Sequence, residues 1–382
     1  MTAGIEPEDH AYMDQALSLA ARGLYTTDPN PRVGCVLARD GRVVGEGWHE
    51  RAGQAHAEVS ALRAAGAAAR GATAYVTLEP CSHHGRTPPC ADALIEAGIR
   101  RVVCAVVDPN PLVAGTGIKR LEAAGIALSV GLNAAEARAL NVGFFSRFER
   151  GRPWIRLKLA MSLDGRTAPA GGGRQWISGE ASRADVQQWR ARSSAVLTGA
   201  GTVRIDDPRL DVRLEYGPWV RQPSRVVLDP ARSCPADAQV FRQEGALVFT
   251  AVQAARPDAA RADAARLPRV REERVPAAGR RLDLGAVAAR LAELEMNEVL
   301  VECGPTLAAG FLEAGLVDEF ILYIAPVLLG ADAAPLTGLT AAGGGADGAR
   351  GGRTESGFEI VDTQRFAADV RLILRPRGAA AS

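Results

Sequence analysis

Lysine is almost missing from this 382-residue chain: only Lys119 and Lys158 occur, so arginine supplies 43 of the 45 basic residues. A lysine kept in so arginine-rich a chain points to a place where an ammonium, not a guanidinium, is wanted. Histidine is scarce too. His10, His49, His56, His83 and His84 all lie in the first 84 residues, so imidazole chemistry is confined to the N-terminal part. Apolar runs of about 18 or more residues are absent, which excludes an ordinary transmembrane helix. The start Met1-Thr2-Ala3-Gly4-Ile5-Glu6 lacks the basic opening and apolar core of a signal peptide. Neither sign of charge prevails: 45 Lys+Arg against 44 Asp+Glu leave +1, so no overall field steers the chain to nucleic acid or membrane. Six cysteines, at 35, 81, 90, 104, 234 and 303, are too few and scattered for a disulfide scaffold. They read as buried thiols or metal ligands of a cytoplasmic protein, with Cys35, Cys104 and Cys303 in apolar strand-like runs as core thiols. What remains is ordinary globular composition, 47% hydrophobic and 23% charged. One core rarely grows past roughly 250–300 residues, so two domains are expected.

Helix and strand signals alternate along the chain. Pro7 suits a helix entrance, Tyr12, Ala16 and Leu19 form one stripe, and Gly23 can end it, which predicts a helix over 8–22. The runs 33–38 and 42–46 flank Arg39-Asp40-Gly41 as a hairpin. A helix is expected from Ala57 to Arg70, a strand over 73–78, a polar loop from Glu79 to Pro89, and a short helix closing near Gly98. A strand over 101–107 and a helix around 116–124 follow. After the Gly151-Arg152-Pro153 break a strand is expected at 154–159, with others at 195–198, 225–229, 246–250, 298–302, 319–326 and 367–374. The stretch 251–283 has few large apolar residues and reads as peripheral, and the glycine-rich run 343–352 as a mobile loop. Such alternation is an α/β pattern with sheets covered on both faces. The domain boundary falls near 150, giving domains 1–150 and 151–382.

The N-terminal chemistry gathers in His56-Ala57-Glu58 and Pro80-Cys81-Ser82-His83-His84-Gly85-Arg86-Thr87-Pro88-Pro89-Cys90. His56, Cys81 and Cys90 make a three-ligand zinc site, one ion per chain, whose fourth position stays open for water, as in catalytic zinc sites. Glu58 then has a task, to take the water proton and deliver it to a ring nitrogen and the leaving amine. Cys90 follows Pro88-Pro89 at a helix entrance, where the dipole favours its thiolate. H-x-E with a downstream P-C-x-x-C is the signature of zinc nucleobase deaminases, although here eight residues separate the cysteines. His83 and His84 are alternative ligands, substrate contacts or plain surface residues, and His10 reads as surface.

The segments 26–35, 56–58 and 79–90 closely resemble the bifunctional riboflavin-biosynthesis deaminase/reductase family, which has the same long loop between its cysteines. The resemblance covers nearly the whole chain. It implies a three-layer, cytidine-deaminase-like N-terminal domain that deaminates a phosphoribosylated diaminopyrimidinone, with Asn30, His49, His83 and Arg86 holding the pyrimidine and its ribose phosphate.

The second half lacks a G-x-G-x-x-G after a strand, so the usual dinucleotide fingerprint is absent. Two other turns suit phosphates: Glu302-Cys303-Gly304-Pro305 leading into a helix, and Thr198-Gly199-Ala200-Gly201-Thr202. The segments 157–165, 175–178, 201–208 and 302–310 resemble the reductase half of the same family, whose fold is similar to dihydrofolate reductase and binds NADPH. The resemblance implies cofactor contacts from Ala160, Trp176, Thr202, Asp206 and the turn Gly304, Pro305, Thr306, Leu307, Ala308, Ala309 and Gly310. It implies substrate contacts from Arg190, Leu210, Arg213 and Glu302. Lys158 reads as a catalytic group near the reacting sugar, its bland rival being an ion pair with Asp164. Where the family commonly has Ser, this chain has Arg174, and no role is carried over to it. The implied partner is a small phosphoribosyl pyrimidine, without nucleic acid or membrane, and the family suggests self-association through the reductase half. A nucleic-acid base deaminase with an accessory domain, and a zinc-stabilised binding module with a fourth protein ligand, are the competing readings.

Overall fold

The architecture is taken from a computed structural model that describes residues 4–82, 89–170, 176–213, 220–252, 270–339 and 357–377. The chain divides into two units, one built on residues 1–152 and one on 153–382, with the short pieces 217–221 and 295–297 assigned to the first.

Alternating side chains on short apolar strands organise the first unit. Its strands are β1 (Gly34–Arg39), β2 (Arg42–Trp48), β3 (Thr73–Val76), β4 (Arg101–Cys104) and β5 (Ala127–Val130), and its helices are α1 (Asp9–Ala21), α2 (Ala57–Ala65), α3 (Cys90–Glu96), α4 (Thr116–Ala123), α5 (Ala134–Leu140) and α6 (Val142–Arg150). The sheet runs β2-β1-β3-β4-β5, antiparallel across the first two pairs and parallel across the last two. Val36, Tyr75 and Val103 face α1 and α5, whereas Cys35, Leu37, Val76 and Val102 face α2, α3 and α4. The result is three layers. Helix α2 reaches the sheet through two glycines: a Cβ at Gly45 would come 2.4 Å from the Ala61 carbonyl oxygen, and one at Gly47 2.4 Å from that of Ala57. This close approach draws the start of α2 against the hairpin. The sequence reading did not assign β5, α5 or α6. Cys35 and Cys104 are core thiols as expected.

The second unit adds β6 (Trp154–Ser162), β7 (Arg166–Ala168), α7 (Glu180–Arg192), β8 (Ala195–Gly199), α8 (Ala200–Asp206), β9 (Ser224–Leu228), β10 (Ala246–Ala251), β11 (Val270–Val275), β12 (Ala277–Ala278), β13 (Arg281–Leu282), α9 (Leu284–Glu293), β14 (Glu298–Glu302), α10 (Pro305–Glu313), β15 (Glu319–Ala325), β16 (Ala334–Pro335), β17 (Phe358–Phe366) and β18 (Asp369–Pro376). Nine strands form one sheet in the order β11-β10-β9-β8-β14-β6-β15-β18-β17. It is parallel from β11 to β15 and antiparallel beyond. The two strands the sequence reading missed here, β11 and β17, are the sheet's edges. An edge strand needs little apolar sequence, because β17 leaves most of its side chains exposed. Cys303, read as a core thiol, is instead half-buried in the turn after β14. The glycine-rich run 343–352 lies outside the described residues. Among those described, no helix is long and apolar enough to cross a membrane.

Buried charge marks the centre of this sheet. Arg156 on β6 is 2% exposed; it pairs with Glu298 of β14 and with Glu319 of β15, the latter at 2.6 Å. Arg192 reaches Glu298 at 3.2 Å and Arg375 reaches Glu319 at 2.7 Å. Burial alone would raise the Glu319 carboxyl, but Arg156 and then Arg375 outweigh it and hold the group at about 2. That lies below an unfolded value of about 4.3, so the stabilisation is present above roughly pH 4.3 and is lost as pH falls towards 2. We expect Arg156→Leu to cost about 3–5 kcal/mol in urea unfolding, because it strands buried carboxylates. The variant's stability should also fall less steeply between those pH values.

Candidate active sites

In the first unit the site starts from a helix entrance. His56 is the extended residue before α2 (φ −73°, ψ 162°), so its ring projects beyond the helix end. Glu58 lies in the first turn of α2 and is 3% exposed. Cys81 follows β3 on a loop, and Cys90 is the first residue of α3. His56 Nδ1 stands 3.2 Å from Cys90 Sγ and 3.6 Å from Cys81 Sγ. All three ligand atoms lie within 4.8 Å of one another. A tetrahedral zinc ion about 2.0–2.3 Å from each would set them roughly 3.5 Å apart, so one imidazole and two thiols fit that metal in both chemistry and spacing. Among the described residues the group consists of these three.

Electrostatics follow from crowding. Hydrogen bonding, first from Cys90 and also from His56, pulls the Cys81 thiol down to about 4. Cys90, facing that thiolate and buried, is pushed up. Burial raises Glu58 to about 7, and the neighbouring Cys81 adds to it. A carboxyl poised there can both accept and return a proton near neutral pH.

Asn30 and His49 come together beside the ligands. His49 Nδ1 donates to the Ala55 carbonyl at 3.0 Å, which leaves Nε2 to accept from Asn30 Nδ2 at 3.0 Å. Burial lowers the His49 pKa, in keeping with this neutral form. Its ring stands edge-on to His56, with centroids 5.5 Å apart. His83 and Arg86, expected to touch substrate, lie outside the described residues, as do His84 and Arg174.

The second unit brings its two glycine turns side by side. Strands β8 and β14 are parallel neighbours, and both run from their carboxyl ends directly into helices α8 and α10. Ligands of open parallel sheets bind at such strand ends. Gly304 has φ −77°, and a Cβ there would meet only Thr202 Oγ1, at 3.9 Å. The fold itself therefore has no need of glycine at 304, and the turn leaves open space beside its backbone. The run 304–310 splits in two. Ala308 and Ala309 are buried, the Ala308 amide donates to the Gly304 carbonyl at 3.1 Å, and Gly310 packs against Leu284. The amides of Thr306 and Leu307, in the first turn, are the ones helix geometry leaves for a ligand, while Pro305 has none to lose. Asp206 ends α8 and is half-buried. Trp176 is 59% exposed, with the Arg183 guanidinium 5.1 Å from its ring centroid.

Lys158 and Glu302 are register partners on adjacent parallel strands. Arg190, from α7, meets both Glu302 oxygens (2.6 and 2.9 Å) and donates to the Asp211 carbonyl at 3.0 Å. Arg190 thus faces a carboxylate within the protein and does not stand free as an anion binder. Burial would raise Glu302, but Arg190 and then Lys158 hold it below the usual carboxylate range. Burial pulls Lys158 below the usual lysine range; Glu302 opposes that and Arg190 adds to it. No ion pair joins Lys158 to Asp164 among the described residues. Asp164 instead accepts from the Leu329 and Gly330 amides, at 3.1 and 2.7 Å. The Lys158 ammonium lies 5.6 Å from the Tyr323 ring centroid, and Ala160 follows it two residues along β6. Arg213 is exposed and donates to Asp211 at 3.2 Å. Leu210 turns its side chain into the core with φ +56°, so only its backbone can face a substrate. Tyr323 and Arg183 escaped the sequence reading, since only the folded register brings them to the site.

Comparison with known proteins agrees with both halves. Residues 6–106 match the cytidine and deoxycytidylate deaminase zinc-binding region, and residues 153–343 the RibD C-terminal domain. The riboflavin biosynthesis protein RibD of Escherichia coli is 50% identical over 336 residues, 85% of this chain and 90% of that protein. That of Haemophilus influenzae is 42% identical over 385 residues, covering 97% and 98%. Acinetobacter baumannii RibD superposes with a TM-score of 0.87 at 44% identity, covering 97% and 99% of the two chains. A Thermotoga maritima diaminohydroxyphosphoribosylaminopyrimidine deaminase/5-amino-6-(5-phosphoribosylamino)uracil reductase gives 0.81 at 33% identity, covering 96% and 98%. With relatives this similar along almost its whole length, the chain belongs to the RibD family of bifunctional deaminase/reductases of riboflavin biosynthesis.

Proposed function

We propose that residues 1–150 deaminate 2,5-diamino-6-(5-phosphoribosylamino)pyrimidin-4-one with zinc, and that residues 151–382 reduce the ribosyl side chain of the product to ribityl with NADPH. The observation that carries the first half is the convergence of His56, Cys81 and Cys90 beside the buried carboxyl of Glu58. Zinc held by those three side chains supplies the Lewis acidity that makes water a nucleophile near neutral pH. Glu58 carries the attacking water's first proton to the ring nitrogen and then its second to the departing amine, so ring C–NH2 and water become C=O and ammonia. Asn30 and His49, already joined, orient the pyrimidine.

In the second half a nicotinamide cofactor supplies hydride. The Gly304–Leu307 turn with Thr202 receives its phosphates, Ala160, Trp176 and Asp206 line its path, and Lys158 hydrogen-bonds the sugar beside the carbon that accepts hydride. Glu302, gripped by Arg190, keeps the ammonium charged against burial. The protein works in the cytoplasm on a small molecule, not on nucleic acid or membrane, and associates with its own kind through the reductase half. Salt-dependent RNA binding with deamination of RNA would instead favour the nucleic-acid deaminase reading. An anaerobic assay with the pyrimidinone ribosyl phosphate and NADPH tests the whole proposal, and ammonia without NADPH oxidation would remove its second half.

Metal analysis should find about one zinc per chain, lost in Cys81→Ser and Cys90→Ser together with ammonia release. Glu58→Gln should keep zinc yet slow deamination by about 10²–10⁴, while reduction of the deaminated substrate stays normal. Lys158→Ala should lower reductase kcat by about 10² with NADPH affinity little changed. Gly304→Val should do the opposite, weakening NADPH about tenfold in a direct titration. Parent-like NADPH binding by Gly304→Val would reduce that turn to a structural corner.

A further inference from the structure

We propose that Glu79 is a positioning residue for the zinc ligand Cys81, fixing it through the N-terminus of α4. Glu79 is 3% exposed, two residues before Cys81, and lies outside the ligand group. Its carboxylate accepts four backbone N–H groups. Oε1 takes those of Gly117 (2.9 Å) and Ile118 (3.2 Å), and Oε2 those of Gly115 (2.9 Å) and Asp108 (3.2 Å). Gly117 and Ile118 lie in the first turn of α4, where amides lack helical partners and the dipole favours negative charge. A carboxylate from a distant strand end thus does the work of a local cap.

The same helix end holds the chain on the far side of the ligand. Thr116 Oγ1 donates to the Val113 carbonyl and so accepts from Ser82 Oγ, at 2.5 Å. Between these anchors the backbone touches the helix: a Cβ on Gly117 would come 1.9 Å from the Pro80 carbonyl oxygen. Cys81 is therefore bracketed, with Glu79 and Pro80 before it and Ser82 after it all seated on residues 115–118. From the other side the Ala91 and Cys90 amides donate to the Cys81 carbonyl (3.1 Å) and Sγ (3.4 Å), which ties Cys81 to the helix that carries Cys90.

A glutamine at 79 is uncharged and turns one acceptor into a donor, so it can meet only two of the four N–H groups. The seat of Pro80 and Cys81 then loosens while every ligand remains. Groups that orient metal ligands typically contribute about 10–100-fold in metal affinity.

The inference rests on the zinc reading above, and the test separates the two. Zinc Kd is measured by competition with a chromophoric chelator on the full chain, beside the thiolate-to-metal absorption of the cobalt-substituted protein. NADPH titration reports that the rest of the chain is intact. Glu79→Gln should raise zinc Kd about 10–100-fold and weaken the cobalt absorption, with NADPH binding unchanged. Thr116→Val, which removes the partner of Ser82, should raise Kd several-fold. Parent-like Kd and cobalt absorption in Glu79→Gln, whatever its melting temperature, would make Glu79 a helix cap only and overturn the inference. Should that variant fail to fold, parent-like values in Thr116→Val overturn it instead. A parent chain that binds no zinc sinks the zinc reading and this inference with it.

Discussion

A buried cation must meet a carboxylate, and β6 carries two cations on one face, Arg156 and Lys158. Arg156 takes Glu298 and Glu319 from the strands on either side, and Lys158 lies beside Glu302. A slip of one residue in β14 or β15 would turn those carboxylates to the other face and leave the guanidinium unpaired. The charges therefore specify the register of the three central strands. That register sets Lys158 opposite Glu302, and the pairing of β14 with β8 brings Gly304 near Thr202. Helix α7 closes the arrangement, since Arg190 reaches down from it to grip Glu302.

The first unit reaches a comparable precision by different means. It relies on contact at backbone distance, through Gly45 and Gly47 under α2 and Gly117 against Pro80. Both units nonetheless place chemistry where a strand's carboxyl end meets a helix start. In one, that junction gathers an imidazole and two thiols; in the other, it presents the first-turn amides of α10. Free N–H groups at such junctions favour negative charge, which suits the proposed thiolate ligands in one unit and the proposed cofactor phosphates in the other.

The sequence made parts of this legible to different degrees. His56, Cys81 and Cys90 could be read together because histidine and cysteine are rare in the chain and chemically specific, and Glu58 because it stands two residues after His56. The alternation of apolar runs located most strands within a residue or two. Edge strands β11 and β17 escaped because one-sided pairing demands little apolar patterning, and β5 because it is short and carries Ser129. Arg190 and Glu302 were both named as substrate contacts, yet their mutual grip joins residues 112 apart and depends on α7 lying over β14. Leu210 shows the limit most plainly: no local pattern reveals that a leucine will adopt a left-handed backbone with its side chain in the core. Glu79 stood in view beside Pro80 and Cys81, but its partners lie on a helix that follows only after another strand.

Anchoring Cys81 to α4, and Cys90 to a helix whose Leu94 is buried in the core, frees the connecting peptide from setting their separation. Two rigid bodies hold the gap, so lengthening the link costs only closure entropy, about 0.6 kcal/mol for each doubling. Going from the two residues of shorter relatives of the motif to the eight that divide these cysteines is two doublings, about 1.2 kcal/mol of closure entropy. Such a stretch can diversify, taking on new side chains for new pyrimidine appendages, while the hydrolytic machinery beside it stays constant.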